Sequence, residues 1–114
     1  MILCIDDEPT GLMVRKILLQ RQGYEVLTAL SGPEGLKLFK DNPVNAVVLD
    51  YAMPGMDGGQ VAAELKRLNP NIKILLLSAY VDIPKETLQR VDKRSLKGVS
   101  PTSFLADLEQ LLSC

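Results

Sequence analysis

Apolar residues fall along this chain in two kinds of pattern. Ile2-Leu3-Cys4-Ile5, Ala46-Val47-Val48-Leu49 and Ile72 to Leu77 are short runs with almost no polar interruption, the signature of strands buried on both faces. Between them the apolar positions are spaced for helices. Pro9 suits a first helical turn, and a helix is predicted from there to about Gln22, with Met13, Val14, Ile17 and Leu18 as its apolar face and Gly23 as its stop. Tyr24 to Ala29 reads as a second strand nearer an edge, because its alternation is looser. Ser31 with Glu34 has capping-box spacing and opens a second helix to about Lys40. Asp57 caps a third, in which Val61, Ala62, Leu65 and Leu68 form the buried stripe before Asn69-Pro70 ends it.

After Ser78 the pattern weakens. A short helix from about Pro84 to Val91 and a brief fifth strand at Ser95 to Lys97 are predicted. Ser100-Pro101 then opens a last helix with Phe104, Leu105, Leu108, Leu111 and Leu112 on one face. The order βαβαβαβαβα, without repeat or linker, specifies a parallel sheet with helices on both sides.

The runs matter most for where they end. The third stops on Asp50 and breaks into Tyr51-Ala52-Met53-Pro54-Gly55-Met56-Asp57-Gly58, so Asp50 is placed at a carboxyl end of the sheet, the edge where ligands bind in open α/β folds. The first run leads into Asp6-Asp7-Glu8, the fourth into Ser78, and the fifth reaches Lys97. A strand-end aspartate alone is as readily a helix cap as a ligand. Three at one edge repel each other unless a cation lies between them, and a small hard divalent ion such as Mg²⁺ meets that need. A carboxylate so placed can attack an activated phosphoryl group while a lysine and a serine hydroxyl stabilise its oxygens.

Composition narrows the alternatives. At 114 residues, 46% hydrophobic and 24% charged, the chain fits one globular domain, residues 1–114, with no room for an output domain. A formal charge of −1 offers no footprint for nucleic acid or an anionic membrane, and no run approaches the ~20 apolar residues of a membrane helix. Cys4, in a predicted core strand, and Cys114, at the terminus, form neither a disulfide framework nor a metal spacing, so a reducing cytoplasm is expected. The absence of histidine removes Ser-His-Asp and Cys-His catalysis.

Together, Asp6-Asp7-Glu8, the segment Leu49 to Gly58, Ser78-Ala79 and Lys97 resemble the receiver domain of two-component response regulators, over essentially the full chain. That resemblance implies a flavodoxin-like, doubly wound sheet of five parallel strands. It implies that Asp50 is the phosphoacceptor, that Asp6, Asp7, Asp50 and the backbone carbonyl of Ala52 hold Mg²⁺, that Ser78 is the switch hydroxyl and that Lys97 contacts the phosphoryl group. Ala52 and Tyr80 fall where the family tunes phosphoryl lifetime. The implied donor is a sensor histidine kinase or a histidine phosphotransfer protein, and the implied outputs are a downstream protein or output domain and, in some cases, a homodimer. The implied chemistry is self-phosphorylation and slow self-dephosphorylation, not turnover of a substrate.

Two positions depart from the family pattern. Gly98 follows the lysine where proline across a cis bond is usual, and Arg94 stands where the family has a rotating aromatic, so a different loop and an altered switch are expected. Competing classes are a phosphohydrolase with an aspartate nucleophile, which usually carries a second acid where this chain has Ala52, and a receiver-like docking or dimerisation module not switched by phosphorylation. A flavin-binding protein of the same fold is disfavoured by acids where a phosphate would need N–H groups.

Overall fold

Ile2–Ile5 (β1), Val26–Ala29 (β2), Ala46–Asp50 (β3), Lys73–Ser78 (β4) and Lys93–Leu96 (β5) pair in one wholly parallel sheet, in the order β2-β1-β3-β4-β5. The structure, a computed structural model, describes residues 1–79 and 82–113; Tyr80, Val81 and Cys114 lie outside the described residues. Each strand is followed by a helix: Pro9–Arg21 (α1), Gly32–Asp41 (α2), Gly58–Leu68 (α3), Lys85–Arg90 (α4) and Pro101–Leu112 (α5). The parallel sheet with helices on both sides is the one expected from the alternating pattern, and its strand order is the doubly wound, flavodoxin-like arrangement that the receiver resemblance implies.

The unbroken apolar runs are explained by two cores, one on each face. Leu3, Ile5, Val47, Leu49, Ile74 and Leu76 point to the side packed by Val61, Ala62 and Leu65 of α3. Their neighbours Ile2, Cys4, Val48, Leu75 and Leu77 point the other way, onto Leu12 and Leu19 of α1 and Phe104, Leu108 and Leu111 of α5. Successive side chains of a strand alternate between faces, so a strand covered on both sides has no polar position to spare. Cys4 belongs to this interior, and burial, with a smaller contribution from Asp6 and partial relief from Arg15, pushes its thiol up to about 12. It is an inert core residue.

The ends of the elements follow local chemistry. Gly23 has φ of 92° just after α1, where a residue with a side chain would be strained. Asp57 and Gln60 form a reciprocal capping box on α3. Ser31 caps α2 through the Glu34 N–H, as the spacing predicts, but the Glu34 carboxylate accepts from the N–H of Leu30, one residue before the cap. Glu8, not Asp6 or Asp7, caps α1, its carboxylate accepting from the N–H groups of Thr10 and Gly11. The two aspartates are thereby left for other work.

Two expectations require correction. The face of α1 turned to the sheet carries Leu12 and Leu19, whereas Met13, Val14 and Ile17 are 52%, 57% and 43% exposed. The cause is Arg15, which occupies the inward stripe between those leucines and splits the apolar pattern in two. β5 runs over Lys93–Leu96 rather than Ser95 to Lys97. Its lysine extends along a neighbour instead of entering the core, Lys93 Nζ donating to Gln110 Oε1 at 2.7 Å, while the buried Ser95 satisfies its hydroxyl by donating to Asp107.

Candidate functional site

The parallel register brings the polar strand ends together. Ile5 pairs with Leu49 and Asp50 with Leu77, so Asp6, Asp50 and Ser78 emerge from three adjacent strands, β1, β3 and β4, at one edge. Ser78 in turn pairs with Leu96, and the N–H of Lys97 donates to the Ser78 carbonyl at 2.8 Å, which holds Lys97 at the same edge. Asp6, Asp50 and Ser78 are only 1%, 2% and 4% exposed, and Asp7 is exposed. Burial of charge on that scale requires partners.

Those partners are two cations. Lys97 Nζ lies 3.1 Å from Asp50 Oδ2 and 3.4 Å from Asp6 Oδ2, bridging the two carboxylates. Arg15 Nη2 forms an ion pair with Asp6 Oδ2, and Asp6 Oδ1 also accepts from the N–H of Glu8 at 3.0 Å. Asp50 is less well served. Its contact with Lys97 is an ion pair without hydrogen-bond alignment, and Asp50 Oδ2 is a buried oxygen with no hydrogen-bond donor among the described residues.

Burial first, and then the negative charge of Asp6, raise the Asp50 carboxyl from 3.8 to about 6, with Lys97 opposing both. For Lys97 burial acts downward, but the contact with Asp50 and the charges of Asp50 and Asp6 outweigh it, so the ammonium is held above its ordinary value.

Oxygens of Asp6, Asp7 and Asp50 all lie within 4.8 Å of one another. An all-oxygen, all-carboxylate donor set with one orphaned buried oxygen suits a hard divalent cation such as Mg²⁺. The residues present fit that ion.

The loop after Asp50 is fixed by glycine. The N–H of Gly58 donates to the Tyr51 carbonyl at 2.8 Å, and a Cβ on Gly58 would stand 2.7 Å from the Asp50 carbonyl oxygen and 2.7 Å from Tyr51 Cα. Both obstacles are backbone, so nothing rotates aside. Gly58→Ala should therefore cost about 1–3 kcal/mol of stability by displacing the chain at Asp50. Urea denaturation checks this, and an unchanged midpoint would show slack in the loop that the packing does not suggest.

The remaining predicted positions divide. Ala52 lies two residues beyond Asp50 with an exposed side chain. Lys97–Gly98 is trans, and Gly98 turns the chain with φ of 91°. Arg94 stands half-buried on β5, beside Leu76 of β4. Tyr80 lies outside the described residues. Arg15 was not anticipated. The signal for it was present in the sequence: an arginine between two leucines seven residues apart, with a side-chain-free Gly11 one turn before it.

A family model described as response regulator receiver domain matches residues 2–94. The chain belongs to the response regulator receiver family. Its fold superposes on that of the response regulator TrrA from Thermotoga maritima, in complex with Mg²⁺ and BeF, with a TM-score of 0.91, 35% identity and 97% of each chain covered. A CheY-like receiver from Methanospirillum hungatei gives a TM-score of 0.93 at 27% identity, covering 98% of this chain and 92% of that one. Among curated relatives, this receiver is 37% identical to the transcriptional regulatory protein GlrR of Escherichia coli K12 over 83 residues, 73% of the chain but 19% of GlrR. It is also 37% identical to the probable transcriptional regulator ycf27 of Cyanophora paradoxa over 117 residues, 97% of the chain and 47% of that relative. The chain thus spans a fifth to a half of these relatives' length. Among the described residues, no helix is long and apolar enough to cross a membrane.

Proposed function

We propose that this receiver takes a phosphoryl group onto Asp50 from a phosphohistidine on a sensor histidine kinase or histidine phosphotransfer protein, in the cytoplasm, and signals through altered contacts with a downstream protein or output region. The observation that carries the reading is the buried Asp50, orphaned at Oδ2, between a second buried carboxylate and an ammonium 3.1 Å away. Asp6, Asp7 and Asp50, with the Ala52 carbonyl, would hold Mg²⁺. When bound, Mg²⁺ supplies charge neutralisation for the transferring phosphoryl oxygens. The complex of TrrA with Mg²⁺ and BeF supports the assignment, since a beryllium fluoride stands in for a phosphoryl group.

In this chemistry an Asp50 oxygen forms a bond to phosphorus as the bond to the donor nitrogen breaks, and the imidazole leaves with its electron pair. The oxygen must be ionised to attack; with the carboxyl lifted to about 6 by burial it is mostly ionised at neutral pH, and its availability falls as pH drops through that value. Lys97, held protonated by Asp50 and Asp6, faces the equatorial oxygens as charge accumulates there. Ser78, which follows the Leu77 that pairs with Asp50, would donate its hydroxyl to the same group. Ala52 offers no side-chain hydrogen bond to position an attacking water, which favours a long-lived phosphoryl group.

Incubation with acetyl phosphate and Mg²⁺, read by intact mass, tests the proposal. One phosphoryl group gained with Mg²⁺, and none when the metal is chelated, is the expected result. A folded protein that gains nothing under either condition would turn the assignment to a docking module that phosphorylation does not switch.

A further inference from the structure

Arg15 is a largely buried cation at this edge that the proposed phosphoryl chemistry does not use. It rises from α1, pairs with Asp6 Oδ2, and has a side chain only 14% exposed. Its Nε is buried without a hydrogen-bond partner among the described residues, so the guanidinium is held in place by Asp6 rather than by a satisfied network of its own. Gly11 makes the room: a Cβ there would lie 3.4 and 3.6 Å from the two terminal guanidinium nitrogens and 2.7 Å from Glu8 Oε2.

We propose that Arg15 is a tethered counter-ion that occupies Asp6 in the metal-free receiver and competes with Mg²⁺ for it. The inference rests on the metal reading of Asp6, Asp7 and Asp50 given above. Asp6 Oδ2 already serves Arg15 and stands 3.4 Å from Lys97, so a divalent ion at the cluster meets an oxygen engaged by one cation and faced by another. Opposite charge on Asp6 is shared between them, and like charge between guanidinium and metal is repulsive at contact range. Metal binding through that oxygen therefore requires Arg15 to withdraw. Beside it lies a groove of about 230 Å³ between α1 and the β5–α5 loop, lined by Arg15 and Lys97 together with Val14, Leu96, Val99 and Phe104, which leaves the guanidinium room to swing away from Asp6 on the side away from the Lys97 ammonium.

The device has a functional consequence. The apparent affinity for Mg²⁺ is reduced by the fraction of molecules in which Asp6 is free, so the strength of the Arg15–Asp6 pair sets the Mg²⁺ concentration at which the receiver becomes competent. The same pair keeps the acidic cluster tolerable in the absence of metal.

The test is Mg²⁺ binding by isothermal titration calorimetry on the full chain, wild type against Arg15→Met, which keeps the aliphatic stem and removes the charge. Binding tighter by about tenfold in Arg15→Met, with Arg15→Lys in between, is the expected result. Equal or weaker binding in Arg15→Met overturns this proposal while leaving the metal site standing. Absence of binding to either form overturns both. A second readout uses only the wild type. The Arg15 Nε–H resonance should shift and exchange faster with water as Mg²⁺ is added, and an Nε–H signal unmoved at saturating Mg²⁺ would show that the guanidinium never leaves.

Discussion

Asp50→Asn should lose phosphoryl uptake altogether and, in the absence of metal, should be more stable than the wild type at pH 7.5. The first effect follows from chemistry, since an amide is not a nucleophile toward phosphorus. The second follows from linkage. Asp50 titrates at about 6 in the folded protein and 3.8 as a free side chain, because burial and the neighbouring Asp6 disfavour its charge more than Lys97 favours it.

A raised acid contributes stability that is fully present below the unfolded value and is lost as pH rises through the folded one. At neutral pH the ionised Asp50 therefore costs the fold on the order of 3 kcal/mol relative to its protonated form. The near-isosteric amide avoids that cost. Thermal unfolding in chelator should show Asp50→Asn melting roughly 10 °C above wild type at pH 7.5. The gap should open between pH 4 and pH 7 and close at the acid end. Saturating Mg²⁺ should narrow or reverse it, because only the wild type keeps all three carboxylates. Equal melting temperatures at pH 7.5 without metal would mean that Asp50 is not under electrostatic strain.

That strain was legible in the sequence only in outline. β1, β3 and β4 were readable because both faces are buried, which leaves a run such as Val47-Val48-Leu49 no room for a polar residue until the strand ends. Asp6, Asp50 and Ser78 stood out for the same reason: each follows such a run, and parallel pairing places successive strand ends side by side.

Legibility failed where one side chain answers to two demands. Arg15 takes a place in the inward stripe of α1 to reach Asp6, so counting apolar spacing favoured Met13, Val14 and Ile17, which face outward. β5 was misplaced by two residues because Lys93 and Arg94, poor strand formers by composition, lie where long side chains can reach past the core. The Arg15–Asp6 pair joins a strand end to the second turn of a helix, and periodicity carries no signal for such a contact.

The second large effect is expected at Lys97. Lys97→Met should slow phosphoryl uptake from acetyl phosphate by about 100-fold, the scale on which removing one pre-placed charge stabiliser acts. The residue is suited to the test because its two roles separate. Its backbone N–H bonds the Ser78 carbonyl and survives any substitution of the side chain, while its ammonium alone bridges Asp50 and Asp6. Without the ammonium, burial and Asp6 act on Asp50 unopposed, so the carboxyl should rise further above its ordinary range. Part of the lost rate is then lost nucleophile, and the pH–rate profile should shift upward as the rate falls. A rate loss with an unshifted profile would confine Lys97 to the phosphoryl oxygens. An unshifted profile at full rate would remove it from the site. Lys97→Arg should recover little, since a planar guanidinium cannot place one compact charge between two carboxylates.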